Sequence, residues 1–179
     1  LPACGLPRRR TSNPRRAKGL CMDRFCFWRC WLLVASVALS LQGLTWIYWG
    51  SFDPFGIYDG MLAQALFGSE FFTPEAKVAF AYAVSLLGAT NAAFFLLFTF
   101  IVMFPFAKRE KWSHAAVSSA LLLWFVFDSG FSAHVGAWFN IFLVNLPCLI
   151  VLGIPLVVTA KDFYGPRIEG QPNNEPKSR

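Results

Sequence analysis

Four segments of this sequence are apolar over about 20 residues each, the length with which an α-helix crosses the hydrocarbon core of a bilayer. They cover residues 30–49, 78–104, 114–131 and 137–160. Because lipid offers no partner to free backbone N–H and C=O groups, such segments are helical and pack together as a bundle. The sequence therefore predicts an all-α fold, an integral membrane four-helix bundle formed by residues 25–163.

The composition argues against a soluble domain. Charged residues make up 15% of the chain and hydrophobic residues 56%, whereas soluble domains average roughly 25% charged residues. The lipid bilayer is thus the expected partner of this surface. Residues 1–24 are basic and lack an apolar period, so they are either upstream sequence or a disordered arm. Residues 164–179 are polar and predict a disordered tail.

The basic residues predict the orientation of the bundle. Of the 16 Lys and Arg residues, eight precede the first apolar segment, three lie between the second and third, and four follow the fourth. Lys77 is the exception. The positive-inside rule then places both termini of this multi-pass membrane protein in the cytoplasm. This distribution explains the net charge of +6 as a topology signal, so we expect no nucleic-acid partner.

The loop between the first two segments predicts a short amphipathic helix on the outer side. Asp59 is a suitable N-cap for a helix that runs through Phe67, and Gly68 is suited to end it. Its apolar face would lie on the membrane surface or over the mouth of the bundle. Thr73, followed by a proline and an acid, marks the start of the next helix.

Asp128 is the sharpest feature of the sequence. It follows two turns of apolar residues and lies about 12 Å from the outer end of its helix at ~1.5 Å per residue. A charged acid at the helix centre costs roughly 2.5–3.5 kcal/mol on insertion scales. Ser129 is adjacent to it. Residues at a similar depth predict a polar cluster that opens outward around Asp128, comprising Gln42, Thr45, Ser132, Asn140 and, at the rim, His134.

This cluster has two interpretations. In the functional one, Asp128 binds a proton or a small ligand in a pocket that opens outward. In the structural one, Asp128 hydrogen-bonds to Asn140 or a serine and fastens two helices together, which stabilises a membrane bundle by about 0.6 kcal/mol on average. Depth alone does not separate them, because the rotation of each helix is not encoded in its distance from the membrane surface.

Two other helical segments carry packing signals. Small residues recur at helical spacing in the second segment, at Ala81, Ser85, Ala89 and Ala93, and predict a helix-packing face. Gly88 and Ala92 lie beside this stripe. In the fourth segment, Pro147 and Pro155 predict a bent helix, in which Asn145 would satisfy backbone groups that the prolines leave free.

Motifs for catalysis and metal binding are missing from the sequence. There is no Cys-x-x-Cys pair, no H-E-x-x-H helix, no G-x-S-x-G elbow and no Walker-type loop. The two histidines, His114 and His134, do not form a pair that could hold a haem. We therefore expect no metal, no cofactor and no catalytic residue, and an enzyme is the least favoured of the three functions considered below.

The stretch from Pro105 to Asn140, PFAKREKWSHAAVSSALLLWFVFDSGFSAHVGAWFN, resembles a group of small, uncharacterised bacterial membrane proteins with four helices. The likeness lies in a basic loop followed by a Trp, a W-F-x-x-D-[ST]-G pattern that includes Asp128, a short turn and an Asn. It extends over about residues 26–163. The resemblance implies the fold and a bacterial inner membrane, and it implies no activity or cofactor.

Three functions are compatible with these observations. The leading hypothesis is a non-enzymatic accessory or small-ligand-binding membrane subunit with an outer pocket around Asp128, as a homo-oligomer or within a larger membrane complex. The alternative is a small proton-coupled transporter that works as a homodimer. The third is a membrane enzyme acting on lipid or quinone, which needs a second titratable group beside Asp128, and His134 is the candidate.

Overall fold

The computed structural model describes residues 24–50, 53 and 55–165, and within them the chain is helical with no β-strand. The four long helices are α1 (Arg24–Trp49), α3 (Pro74–Met103), α4 (Lys111–His134) and α5 (Trp138–Tyr164), with a shorter α2 (Ile57–Phe67) between α1 and α3. Each long helix is apolar enough to cross a membrane. This confirms the all-α class with four membrane-length helices. The expected N-terminal arm and the tail beyond 165 lie outside the described residues.

The surface of the bundle supports the same class. Large apolar side chains point away from the protein on every long helix, among them Val34, Tyr82, Phe127 and Val157. Contiguous exposed apolar surface of this extent is costly in water and is the normal exterior of a protein solvated by lipid. The chain thus has the construction of a multi-pass membrane protein.

The long helices extend beyond the apolar segments that predicted them. Helix α1 begins at Arg24 rather than at 30 because Phe25 is buried against the bundle and Arg29 has a structural role. The Arg29 guanidinium donates to the carbonyl oxygens of Val102 and Met103, each at 3.3 Å. These carbonyls end α3, where a cation also interacts favourably with the helix dipole. Helix α3 begins as expected, with the Thr73 hydroxyl accepting from the N–H of Ala76 at 3.2 Å.

The start of α2 corrects the expected cap. The carboxylate of Asp53, not that of Asp59, accepts hydrogen bonds from the first turn, from the N–H of Ile57 at 3.1 Å and of Asp59 at 2.9 Å. Asp59 lies inside the helix because the cap acts from further upstream than the sequence pattern suggested. Gly68 ends the helix in a left-handed conformation, with φ of 66°, as predicted.

Helices α1 and α3 are in backbone contact. A Cβ added to Gly43 would lie 2.6 Å from the backbone nitrogen of Ala92, and one added to Gly88 would lie 2.6 Å from the carbonyl oxygen of Gly43. The predicted packing face is therefore displaced by one position. Of its members, Ser85 reaches α1, where its hydroxyl donates to the Ile47 carbonyl at 3.4 Å. The others, Ala81, Ala89 and Ala93, are exposed, because the sequence gives the spacing of small residues but not which flank turns inward.

The end of the bundle that contains Arg24 and Tyr164 is closed by aromatic rings. Phe106 packs against Phe163 at 4.6 Å and Phe25 at 5.8 Å between ring centroids. The buried His114 ring lies 4.9 Å from that of Phe163, and its Nε2 is 3.0 Å from the carbonyl oxygen of Leu156. Aromatic pairs of this kind favour tilted or offset arrangements and stabilise the core beyond area burial alone.

Helix α5, in which Pro147 and Pro155 predict a bend, is interrupted shortly before Pro147. Residues Ile141–Asn145 form a single π-helical turn, in which the N–H of Leu146 donates to the carbonyl of Ile141. Pro147 follows at once, and Pro155 lies inside the remaining α-helical part, Leu146–Tyr164. A π turn inserts one residue into a helix, and it changes which side chains share a face. This local irregularity positions the site described next.

Candidate functional site

Asp128 is the centre of a polar network between α4, α5 and α2. It is half-buried and lies six positions before His134, the last residue of α4, or about 9 Å along the helix. Its Oδ2 atom accepts a hydrogen bond from Asn140 Nδ2 at 3.2 Å and a second one from Asn145 Nδ2. Two amides of α5 thus converge on one carboxylate oxygen of α4.

The π turn explains how both asparagines reach this oxygen. In a regular α-helix, residues five positions apart point about 140° away from each other. In a π turn, where hydrogen bonds join i and i+5, such residues fall close to one another on the same face. The turn at Ile141–Asn145 therefore aligns Asn140 with Asn145. This corrects the expected role of Asn145, which binds side chains of α4 instead of local backbone.

Two serines of α4 extend the network. The Ser132 hydroxyl accepts from Asn140 Nδ2 at 2.9 Å, and the Ser129 hydroxyl accepts from Asn145 Nδ2 at 3.0 Å. Ser132 is 6% exposed and Asn145 is fully buried. Each amide nitrogen thus bridges the carboxylate and one hydroxyl. Buried polar groups in this arrangement strengthen one another, because each bond polarises its neighbours in a medium of low dielectric.

Tyr58 brings α2 into the network. Its hydroxyl donates to Asn140 Oδ1 at 3.0 Å, and its ring meets the Phe139 ring edge-on at 5.3 Å. Burial raises the pKa of Tyr58, and the negative charges of Asp128 and Asp59 raise it further. The phenol therefore remains protonated and available as a donor at neutral pH. This contact holds α2 beside the turn that joins α4 to α5.

One buried atom of the site, Oδ1 of Asn145, has no hydrogen-bond partner. This oxygen is enclosed and accepts no hydrogen bond, although the nitrogen of the same amide makes two. A buried acceptor in this state costs about 1–3 kcal/mol. Within the described part of the chain, Asp128 has amide partners and no salt bridge to a basic side chain. The site therefore has more acceptor capacity and more negative charge than its protein partners satisfy.

An open groove lies beside α2 at the same end of the bundle as the network. It has a volume of about 760 Å³ and lies between α2, the chain after it, and the turn that joins α4 to α5. Phe139 borders the groove and is the neighbour of Asn140 in sequence. Gln64 and Glu70 supply polar groups to its lining.

The structure brings together three of the predicted site residues, Asp128, Ser132 and Asn140. The other three do not join them. Gln42 is exposed, the Thr45 hydroxyl donates to the Gln42 carbonyl of its own helix at 2.7 Å, and His134 is exposed at the end of α4. Helix α1 packs mainly against α3 through Gly43, and this packing turns Gln42 and Thr45 away from α4. The distance of each residue from its helix end predicted that these residues lie at a similar depth, but it could not predict how α1 is rotated about its axis.

The predicted cluster left out three members of the network, Ser129, Asn145 and Tyr58. The signal for Asn145 was the proline that follows two residues later, because a proline weakens the preceding turn and makes a π turn there less costly. Tyr58 had a weaker signal, as the one hydroxyl-bearing side chain in α2. Among the described residues, no group of three His, Cys, Asp or Glu side chains could hold a metal ion.

Comparison with known proteins gives no relative for this chain. No family model, no curated protein and no solved structure matches it. The chemistry of the Asp128 network is therefore the basis for a proposal about its function.

Proposed function

We propose that this chain is a multi-pass protein of the cytoplasmic membrane with both termini in the cytoplasm, so that the Asp128 network faces outward. The charge distribution supports this orientation. Arg24 and Arg29 begin α1, and Lys108, Arg109 and Lys111 lie between α3 and α4 at the same end of the bundle. The loop at the opposite end, which contains α2, carries Asp53, Asp59 and Glu70 before its single lysine. This asymmetry follows the positive-inside rule.

The orientation is testable with a membrane-impermeant maleimide on intact cells. Cysteine introduced at Ser69 should be labelled from outside, whereas cysteine introduced at Lys108 should react only after the membrane is opened. Labelling of the Lys108 position in intact cells would contradict the orientation. The unmodified protein, with its own cysteines, serves as the background control.

Within this topology, the protein is a non-enzymatic accessory or small-ligand-binding subunit whose site is the Asp128 network. One observation carries the proposal: a carboxylate at membrane depth is held by neutral amides alone, beside a buried oxygen without a partner. Fastening α4 to α5 needs no charge, because a pair of amides makes the same bonds without the roughly 2.5–3.5 kcal/mol that an acid costs there. Retaining the acid is explained by a ligand or a proton that it binds.

A homodimeric proton-coupled transporter is the second candidate. The π turn and Pro155 favour it, because both leave backbone groups of α5 without regular helical partners. Interrupted helices of this kind surround the binding sites of transporters at membrane depth. An enzyme acting on lipid or quinone has less support, since His134, its expected second titratable group, is exposed and makes no bond to Asp128.

Chemical modification of Asp128 tests the ligand-site proposal. Dicyclohexylcarbodiimide partitions into lipid and reacts with protonated carboxyl groups, and mass spectrometry locates the adduct. We expect modification at Asp128, and we expect Asp128→Asn to lose it. Asp162, at the opposite end of the bundle, serves as the internal control for reactivity in membranes. An Asp128 that stays unmodified in the native protein and reacts only after unfolding would contradict the proposal, because it would be a locked structural carboxyl.

A further inference from the structure

The charge of the Asp128 network identifies the chemistry of its missing partner. The network contains one acid and five neutral side chains, Tyr58, Ser129, Ser132, Asn140 and Asn145. Its neutral members are donors or acceptors but carry no positive charge. In a medium of low dielectric an uncompensated carboxylate is unfavourable, and a cation in contact with it removes most of that cost.

The unpartnered oxygen of Asn145 indicates the same class of ligand independently. Oδ1 belongs to the amide whose nitrogen touches Asp128, so it lies within the network, and Asn145 is fully buried. No hydrogen bond to Oδ1 holds the amide in its present orientation, and an acceptor that turns toward the acid is completed by a cation or a donor, not by an anion. Because this oxygen is enclosed, an organic amine with substituents does not fit beside it.

The remaining partners of the two amides allow them to turn. Apart from the carboxylate, Asn140 contacts the hydroxyls of Tyr58 and Ser132, and Asn145 contacts the hydroxyl of Ser129. A hydroxyl donates as readily as it accepts. Rotating either amide by half a turn therefore preserves its bonds to hydroxyls and directs its carbonyl oxygen toward Asp128. The network then offers carboxylate, amide and hydroxyl oxygens, which are the ligands that hard cations prefer.

We propose that the Asp128 network binds a single monovalent inorganic cation, with Na⁺ as the probe ion. This rests on the function proposed above and names its ligand. One carboxylate matches one positive charge, whereas a divalent ion would leave a net charge at membrane depth and normally requires several carboxylates. Asp128 neutralises the ion, the oxygens of Asn140 and Asn145 and the Ser129 hydroxyl complete its shell, and Tyr58 covers it.

The excess of acidic residues around α2 favours cations as well. The groove beside α2 contains Glu70, and the same end of the chain carries Asp53, Asp59 and Glu75 against one lysine, Lys77. An excess of one sign around a cleft raises the local concentration of the opposite ion. This surface would draw cations toward Asp128 from the outer side.

Thermal unfolding in detergent tests the proposal. The protein is purified in choline chloride at pH 7, and Na⁺ or K⁺ then replaces choline at constant ionic strength. With an ion at 100 times its Kd, linkage predicts a rise in the midpoint of about 5 °C or more. The rise should be absent in Asp128→Asn and should require at least about tenfold more ion in Ser129→Ala, which loses one ligand oxygen. Ser118 is a half-buried serine of α4, ten residues before Asp128 and about 15 Å from it along the helix. Ser118→Ala should respond like the wild type.

Each outcome bears on the proposal. A response to Na⁺ or K⁺ that depends on Asp128 and Ser129 supports it, and Ser129→Ala carries the test if Asp128→Asn fails to fold. Equal midpoints in choline, Na⁺ and K⁺ overturn it. If the midpoints are equal while dicyclohexylcarbodiimide still modifies Asp128, the site takes a proton only, and the proposed function survives without the cation. If neither is observed, both proposals fail.

Discussion

The indole N–H of Trp31 donates to the carbonyl oxygen of Val151 at 3.0 Å. In a regular helix this carbonyl would accept from the N–H of residue 155, but that residue is Pro155, which has none. Helix α1 therefore supplies the donor that α5 lacks, and the bond joins two helices across the bundle. In lipid such a repair matters more than in water, because no solvent is present to satisfy the carbonyl.

Replacing Trp31 by Phe should show this coupling. Trp31→Phe keeps most of the ring and removes the donor, so we expect a loss of about 1–2 kcal/mol in the free energy of unfolding. In a Pro155→Ala background the same change should cost less than about 0.5 kcal/mol, since the new backbone N–H satisfies Val151. Trp112→Phe is the control, because its indole donates to the nearby Glu110 rather than to another helix. Equal costs in both backgrounds would exclude the link to Pro155.

The contact of α1 with α3 predicts a second effect on stability. Gly88→Ala places a Cβ 2.6 Å from the carbonyl oxygen of Gly43, which is a backbone group that cannot rotate aside. We expect a loss of about 1–3 kcal/mol, the usual cost of overpacking a tight interface. Gly130→Ala in α4 is the matched control, since its Cβ would have no neighbour within 4 Å. That change should be neutral or slightly stabilising. Comparable losses in the two variants, measured by unfolding in detergent, would refute the close contact.

Tyr58 predicts a dependence of stability on alkaline pH. Its pKa is raised in the folded protein by burial and by the charges of Asp128 and Asp59, relative to an ordinary value of 10.0. Above about pH 10 the unfolded chain therefore loses this proton first, and stability falls as pH rises toward the folded value. Below pH 10 the contribution of Tyr58 is constant. Wild type should thus lose more stability than Tyr58→Phe between pH 9 and 11, as followed by unfolding, and parallel pH profiles would contradict the burial of this phenol.

Much of this fold was predictable because apolar length, helix-capping residues and proline position act locally along the chain. The four spans, the Thr73 cap and the irregular α5 follow from such signals. The site was predictable in part, because the depth of Asp128, Ser132 and Asn140 follows from their distance to helix ends. What could not be predicted is rotation. It turns Gln42 and Thr45 of α1 away from α4 and moves the packing stripe of α3 from Ala89 to Gly88.

We propose that Asp128 is retained to bind a ligand and not to fasten α4 to α5. The most direct test is the free energy of unfolding of Asp128→Asn in detergent at pH 7 without added Na⁺ or K⁺. The new amide keeps an oxygen for Asn140 and Asn145 and replaces the other carboxylate oxygen with a neutral donor. We therefore expect Asp128→Asn to be as stable as the wild type or more stable. Asn145→Ala, which removes one donor from the half-buried Asp128 and one from Ser129, should lose about 1–3 kcal/mol and shows that the assay detects damage here. A loss of more than about 1 kcal/mol in Asp128→Asn would contradict the claim, because the carboxylate would then be a structural fastener.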